Sequence, residues 1–99
     1  MARLPRGRSE KRSVATVAVM LTSLDPSFPT ELTLTENISG RGARVVTKGL
    51  WRVNDSLVVK SIEGDLQSET RVVYRQSLRE NIYAIGLELI APKGNWRGK

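Results

Sequence analysis

Two groups of residues in this 99-residue chain have the types and spacing to do chemistry. The first is Arg8 and Arg12, in the stretch "RGRSEKR". Each guanidinium is a planar fork of donors that can bond a guanine O6/N7 edge twice or stack on a purine face. In an extended arm their even spacing puts both on one side, roughly 13 Å apart at the strand rise. On a helical turn they would also share a face. The second group is "NISGRG", Asn37 to Gly42. Glycines at Gly40 and Gly42 allow backbone N–H groups to converge on an anion, Ser39 adds a hydroxyl, and Asn37 adds an amide that donates and accepts. That set suits a phosphate oxygen or a base edge. Taken alone, each group is better read as ordinary structure. The arginines make a solvated basic tail. The turn makes a hairpin corner, with glycines at positive φ and an Asx turn at Asn37.

Other chemistries are excluded by what the chain lacks. It has no histidine and no cysteine. The usual general base, the catalytic triads, disulfides and cysteine zinc sites go with them. No paired carboxylates and no metal-ligand spacing stand out, and no P-loop is present, since "TKG" runs in the wrong order with no helix after it. An enzyme is not expected, nor is any cofactor or metal. The longest apolar run, "VATVAVML", is too short to cross a bilayer, and the basic N-terminus lacks an export h-region. The sequons at Asn37 and Asn54 then read as chance, and a reducing cytoplasm is the expected location. No membrane insertion is expected.

The elements that must position these groups alternate with period two. Ser13 to Leu21 alternates, with Ala15, Val17, Val19 and Leu21 on one side. After turn chemistry in "SLDPSFP", Leu32, Leu34 and Ile38 fall on one side of the next strand, and Thr33 and Thr35 on the other. "GARVVT", "SLVVKSIE", "SETRVVYRQS" and "IYAIGLELI" read as four more strands. Six short strands joined by turns predict a small antiparallel barrel or sandwich. "APKGNWRGK" is too broken for a helix. Trp51 is expected to cap a barrel end, Trp96 to be partly exposed, and Arg71, Arg75 and Glu88 to lie on a solvated strand face. Three regions result: a basic arm over 1–12, a barrel over 13–92 and a basic tail over 93–99. The net charge of +6 divides among them as +4, −1 and +3. A near-neutral body with basic ends is not the pattern of a broad nucleic-acid-binding face.

Taken together and in order, the two groups resemble the motifs of the PilZ family, the bacterial receptor domain for cyclic di-GMP. R-x-x-x-R is present as Arg8 to Arg12, and [D/N]-x-S-x-x-G as Asn37 to Gly42. "GARVVT", "ETRVVYR" and "YAIGLEL", with Gly86 before an apolar residue, are similar to the family's later strands, so the likeness spans about residues 6 to 92. It implies a six-stranded antiparallel β-barrel with a flexible N-terminal arm at its mouth and, in this chain, little or no C-terminal helix. It implies that Arg8 and Arg12 contact guanines and phosphates, and that Asn37, Ser39, Gly40 and Gly42 form the floor of the site. Arg6, Gly7, Arg41 and Gly86 are further candidates, Arg6 and Gly7 because that junction influences whether one ligand or a stacked pair binds. The implied partners are cyclic di-GMP and an unidentified protein effector. A mobile arm of like charges, pinned by ligand, would create the surface that the effector reads. Two alternatives compete: a ligand-blind interaction module of the same fold, and a small basic barrel for single-stranded nucleic acid, which the few aromatics and neutral body disfavour.

Overall fold

The computed structural model describes residues 13–14, 16–25, 27 and 29–97. Their seven strands are β1 (Ser13–Val14), β2 (Ala18–Ser23), β3 (Glu31–Ile38), β4 (Gly42–Thr47), β5 (Ser56–Ser61), β6 (Gln67–Arg79) and β7 (Ile82–Lys93). The hydrogen-bonded order β3-β2-β5-β6-β7-β4 returns to β3 through a β3–β4 pairing, and every pairing is antiparallel. A closed six-stranded barrel results, which leaves its strands without open edges over the paired length. There is no helix among the described residues. Arg6, Gly7, Arg8 and Arg12 lie outside the described residues.

The first strand is broken where the alternation ran on. β1 pairs with Asn37 and Ile38, and β2 with Glu31 to Leu34, both along one edge of β3. Between them Thr35 takes over the ladder. Its N–H donates to the Val17 carbonyl at 3.0 Å, and its hydroxyl accepts the Val17 N–H at 2.9 Å. A side-chain oxygen replaces a backbone acceptor there, so the chain steps aside without leaving the Val17 amide unpaired.

The core is built from small branched residues, as the tapering interior of a six-stranded barrel requires. Val17, Val19 and Leu21 from the first line meet Val45 of β4, Leu57 and Val59 of β5, Val72 of β6 and Ile85 of β7, all fully buried. Strand β3 runs against its own hydrophobic pattern. Leu32 and Leu34 are 65% and 50% exposed, whereas Thr35 is 2% exposed. Its leucines lie outside, opposite Met20 and Ala18. Its inner side carries polar groups that the neighbouring strand satisfies. Thr33 Oγ1 donates to the Val46 carbonyl, and Glu31 accepts Thr47 Oγ1 at 2.5 Å and the Lys48 N–H at 2.9 Å. Ile38 does pack against the core, because a bulge between Thr35 and Asn37 shifts the alternation by one. The two leucines and the isoleucine therefore do not share a side.

The barrel ends are closed by the two tryptophans. Trp51, in the β4–β5 loop, packs on the core at one end, as its sequence position predicts. Trp96 closes the other end and is half-buried. Its carbonyl accepts the Ser61 hydroxyl, and Asn95 exchanges backbone and side-chain bonds with Leu66 and Asp65. Residues 94–97 thus form a lid on the barrel. β6 and β7 are joined at the opposite, Trp51 end through Asn81 at φ 62°, a left-handed conformation that asparagine tolerates.

Thr35→Val is nearly isosteric and more apolar, yet it removes the acceptor of a buried N–H. It should destabilise the fold by about 1–3 kcal/mol in urea denaturation. Leu32→Thr, on the outside, should change stability by less than about 0.5 kcal/mol. The opposite ranking would overturn the inverted reading of β3.

Candidate functional site

The turn from Asn37 to Gly42 joins β3 to β4 at the Trp96 end. The Ser39 N–H donates to the Gly42 carbonyl at 2.9 Å. The N–H groups of Arg41 and Gly42 both turn back onto Ser39 Oγ, each at 3.2 Å. Two of the amides that could have converged on an anion are therefore committed to the serine. Neither Gly40 nor Gly42 has a positive φ, so left-handed geometry is not why glycine stands here. Gly42 is required by a close approach: a Cβ there would strike the Leu87 carbonyl of β7. The turn is held from outside by the Trp96 indole N–H on the Ser39 carbonyl at 3.0 Å and by the Leu89 N–H on the Arg41 carbonyl at 2.8 Å.

Asn37 has a different role from the Asx turn that its position suggests. Its backbone pairs with Val14 on one side and Arg44 on the other. Its half-buried side-chain amide makes no hydrogen bond among the described residues. Directly opposite residues of a ladder share a face, so Asn37 stands beside Arg44 on the outside of the barrel. Asn37, Ser39, Gly40, Arg41 and Gly42 are thus brought to one rim.

Arg44 anchors a polar cluster that crosses four strands. Its Nε donates to Glu36 Oε1 at 2.6 Å, Nη1 to the Tyr74 hydroxyl at 3.3 Å, and Nη2 to Gln76 Oε1 at 2.8 Å. The guanidinium carbon lies 5.8 Å from the centre of the Tyr74 ring. The Tyr74 hydroxyl and the Glu36 carboxylate hold the Arg44 pKa above its ordinary value, so the group is always a cation. The Tyr74 ring lies over Gly86, its partner on β7, and a Cβ at Gly86 would run into the ring. Gly86 is therefore the seat of an aromatic side chain. The ring itself is 40% exposed.

Glu36, Arg44, Tyr74 and Gln76 were not singled out by motif or spacing. A partial signal exists for Arg44, which alternates with the core residues Ala43 and Val45 and so must point outward. Arg71 and Arg75 lie on exposed surface, as their strand pattern predicts. Arg71 pairs with Glu88 at 2.6 Å, and Arg75 lies 4.5 Å over the Tyr83 ring. A large cleft of about 980 Å³ opens at the opposite, Trp51 end, lined by Leu32, Leu50, Trp51 and Ile82, and contains none of the motif residues. Among the described residues no group of acidic side chains is placed to hold a metal ion.

No family model matches the chain, and no curated protein matches it. Its fold is similar to the solved structure of the Bacillus subtilis inhibitor of motility, MotI/DgrA, with a TM-score of 0.70 and 20% sequence identity. The match covers 90% of this chain and 44% of that one, so this chain spans less than half the length of its structural neighbour. At that identity the likeness carries the fold, and it supports a PilZ-like barrel.

Gly86→Ala should destabilise the protein by about 1–3 kcal/mol through overpacking. In a Tyr74→Ala background the same change should cost much less, because the ring it collides with is gone. Equal costs in both backgrounds, measured by chemical denaturation, would refute the seat assigned to Gly86.

Proposed function

We propose that this chain is a cyclic di-GMP receptor domain that acts as a binding adaptor, not an enzyme. One observation carries the reading. The chain that follows the R-x-x-x-R motif is paired to the strand that carries the second motif: Ser13 lies opposite Ile38, and Val14 opposite Asn37. Arg12 immediately precedes Ser13 in the sequence. The facing ends of the two motifs, Arg12 and Asn37, are 25 positions apart in sequence, and the β1–β3 pairing supports bringing them together at one rim. The ligand is a compact dianion with two guanine edges. Arg8 and Arg12 supply forks for those edges and phosphates, and the free Asn37 amide supplies a directional contact. Ser39, Gly40 and Gly42 shape the floor, with Arg6, Gly7 and Arg41 close enough in sequence to contribute.

The output in this reading is a surface. Ligand pins the cationic arm across the barrel rim, and a protein effector recognises the ordered arm. The neighbour's name, an inhibitor of motility, fits a domain that acts through a partner. A cytoplasmic site of action accords with a nucleotide messenger. A second reading, a ligand-blind interaction module, draws on the commitment of the Arg41 and Gly42 amides to Ser39 Oγ.

Calorimetric titration with cyclic di-GMP separates the two. The parent chain should bind saturably, and its stoichiometry gives one ligand or a stacked pair. Arg8→Ala/Arg12→Ala should weaken binding by about 100-fold or more, and Asn37→Ala by about tenfold, as expected for charged and neutral hydrogen-bonding groups. Binding that survives the double arginine change at full strength, or collapses with salt as non-specific nucleic-acid binding does, would remove the receptor reading.

A further inference from the structure

We propose that Arg44 is a third ligand-binding arginine and that Glu36 is its resident counter-anion, which a phosphate of the ligand displaces. The inference rests on the receptor reading and adds a built-in competitor to it. Three features of the outer face support it. Arg44 is the cation directly opposite Asn37 in the β3–β4 ladder. Its three nitrogens are oriented by Glu36, Tyr74 and Gln76, yet a guanidinium carries five N–H groups. One N–H on each terminal nitrogen is therefore left over, and the Nε–H joins them once Glu36 leaves, which gives a phosphate or a guanine edge donors to take up.

Glu36 is the piece built to move. It is the bulge residue, skipped by the β4 ladder between the Thr35–Val45 and Asn37–Arg44 pairs. Its side chain is 42% exposed, against 23% for Arg44. The carboxylate can therefore swing into water without opening the core or breaking a β3–β4 pair, while the arginine stays anchored by Tyr74 and Gln76. An incoming phosphate meets two obstacles that share one cause: Glu36 repels it and neutralises the cation that would receive it. Exchange of one anion for another at Arg44 removes both. The exposed Tyr74 ring, braced against Gly86, lies next to the same guanidinium and offers a stacking face to a purine.

The test is titration of cyclic di-GMP into a set of variants. Glu36→Gln should tighten binding by about twofold to fivefold, the range of a partly exposed ion pair expressed as affinity. Glu69→Gln removes the same charge from an exposed position elsewhere on the barrel and should change affinity by less than that. Arg44→Ala should weaken binding by about tenfold or more. In the Arg44→Ala background Glu36→Gln should have no further tightening effect, because the competitor then has nothing to hold. Where Arg44→Ala does not fold, Arg44→Lys keeps the charge, loses the fork and should still weaken binding. A Glu36→Gln effect equal to that of Glu69→Gln, or one that persists without Arg44, overturns the gate while leaving the receptor reading intact. No binding by either the parent chain or Glu36→Gln overturns both.

Discussion

A single bulge in β3 governs how this barrel presents its rim. Between Thr35 and Asn37 the β3–β4 ladder skips Glu36, and everything after that point changes side. Thr35 remains inside, where its hydroxyl and N–H bridge the break between β1 and β2. Asn37 turns out beside Arg44, and Ile38 turns in against the core. Without the extra residue Asn37 would point into the barrel, and Ile38 would sit in water. The bulge thus satisfies packing and exposure together at the end of the strand where the candidate site lies. Bulges that re-aim side chains next to functional sites are a general device of β-proteins.

The pairing of β3 with β4 also closes the barrel, so site and fold rest on the same contact. Gly42 is fitted against the Leu87 carbonyl, and Trp96 and Leu89 clamp the turn from the other strands. These bonds leave the turn little freedom. A ligand at this rim would meet a prearranged floor and would owe its ordering cost mainly to whatever segment it pins, which keeps that cost low on the barrel side. The outer cluster around Arg44 extends the rim across β4, β7 and β6. It links the motif turn to the two longest strands, whose C-terminal halves carry mostly exposed side chains.

Charge is distributed in the same economical way. Some of the described ions are paired locally, Arg44 with Glu36, Arg71 with Glu88 and, more loosely, Arg97 with Glu63. Surface pairs of this kind add little to stability. Basic and acidic residues nearly cancel over 13–92, so the excess positive charge of the sequence lies at its ends, above all in the first twelve residues.

Much of this was legible in the sequence. Period-two alternation located the strands, with "GARVVT" matching β4 from end to end, because the side-chain period of a strand is a local property. The order of the two motifs pointed to one binding class, and the absence of histidine and cysteine removed most others. The exchange of faces in β3 was not legible. Leu32 and Leu34 alternate as core residues do, and only closure of the barrel, with Thr33 and Glu31 finding partners on β4, decides that they face outward. Nor could the sequence bring Glu36, Arg44, Tyr74 and Gln76 together, since Glu36 and Gln76 lie 40 positions apart and meet only where four strands are laid side by side. Local pattern determined which segments are strands and which residue types they carry. Register and the bulge, which depend on long-range pairing, decided which side each residue shows.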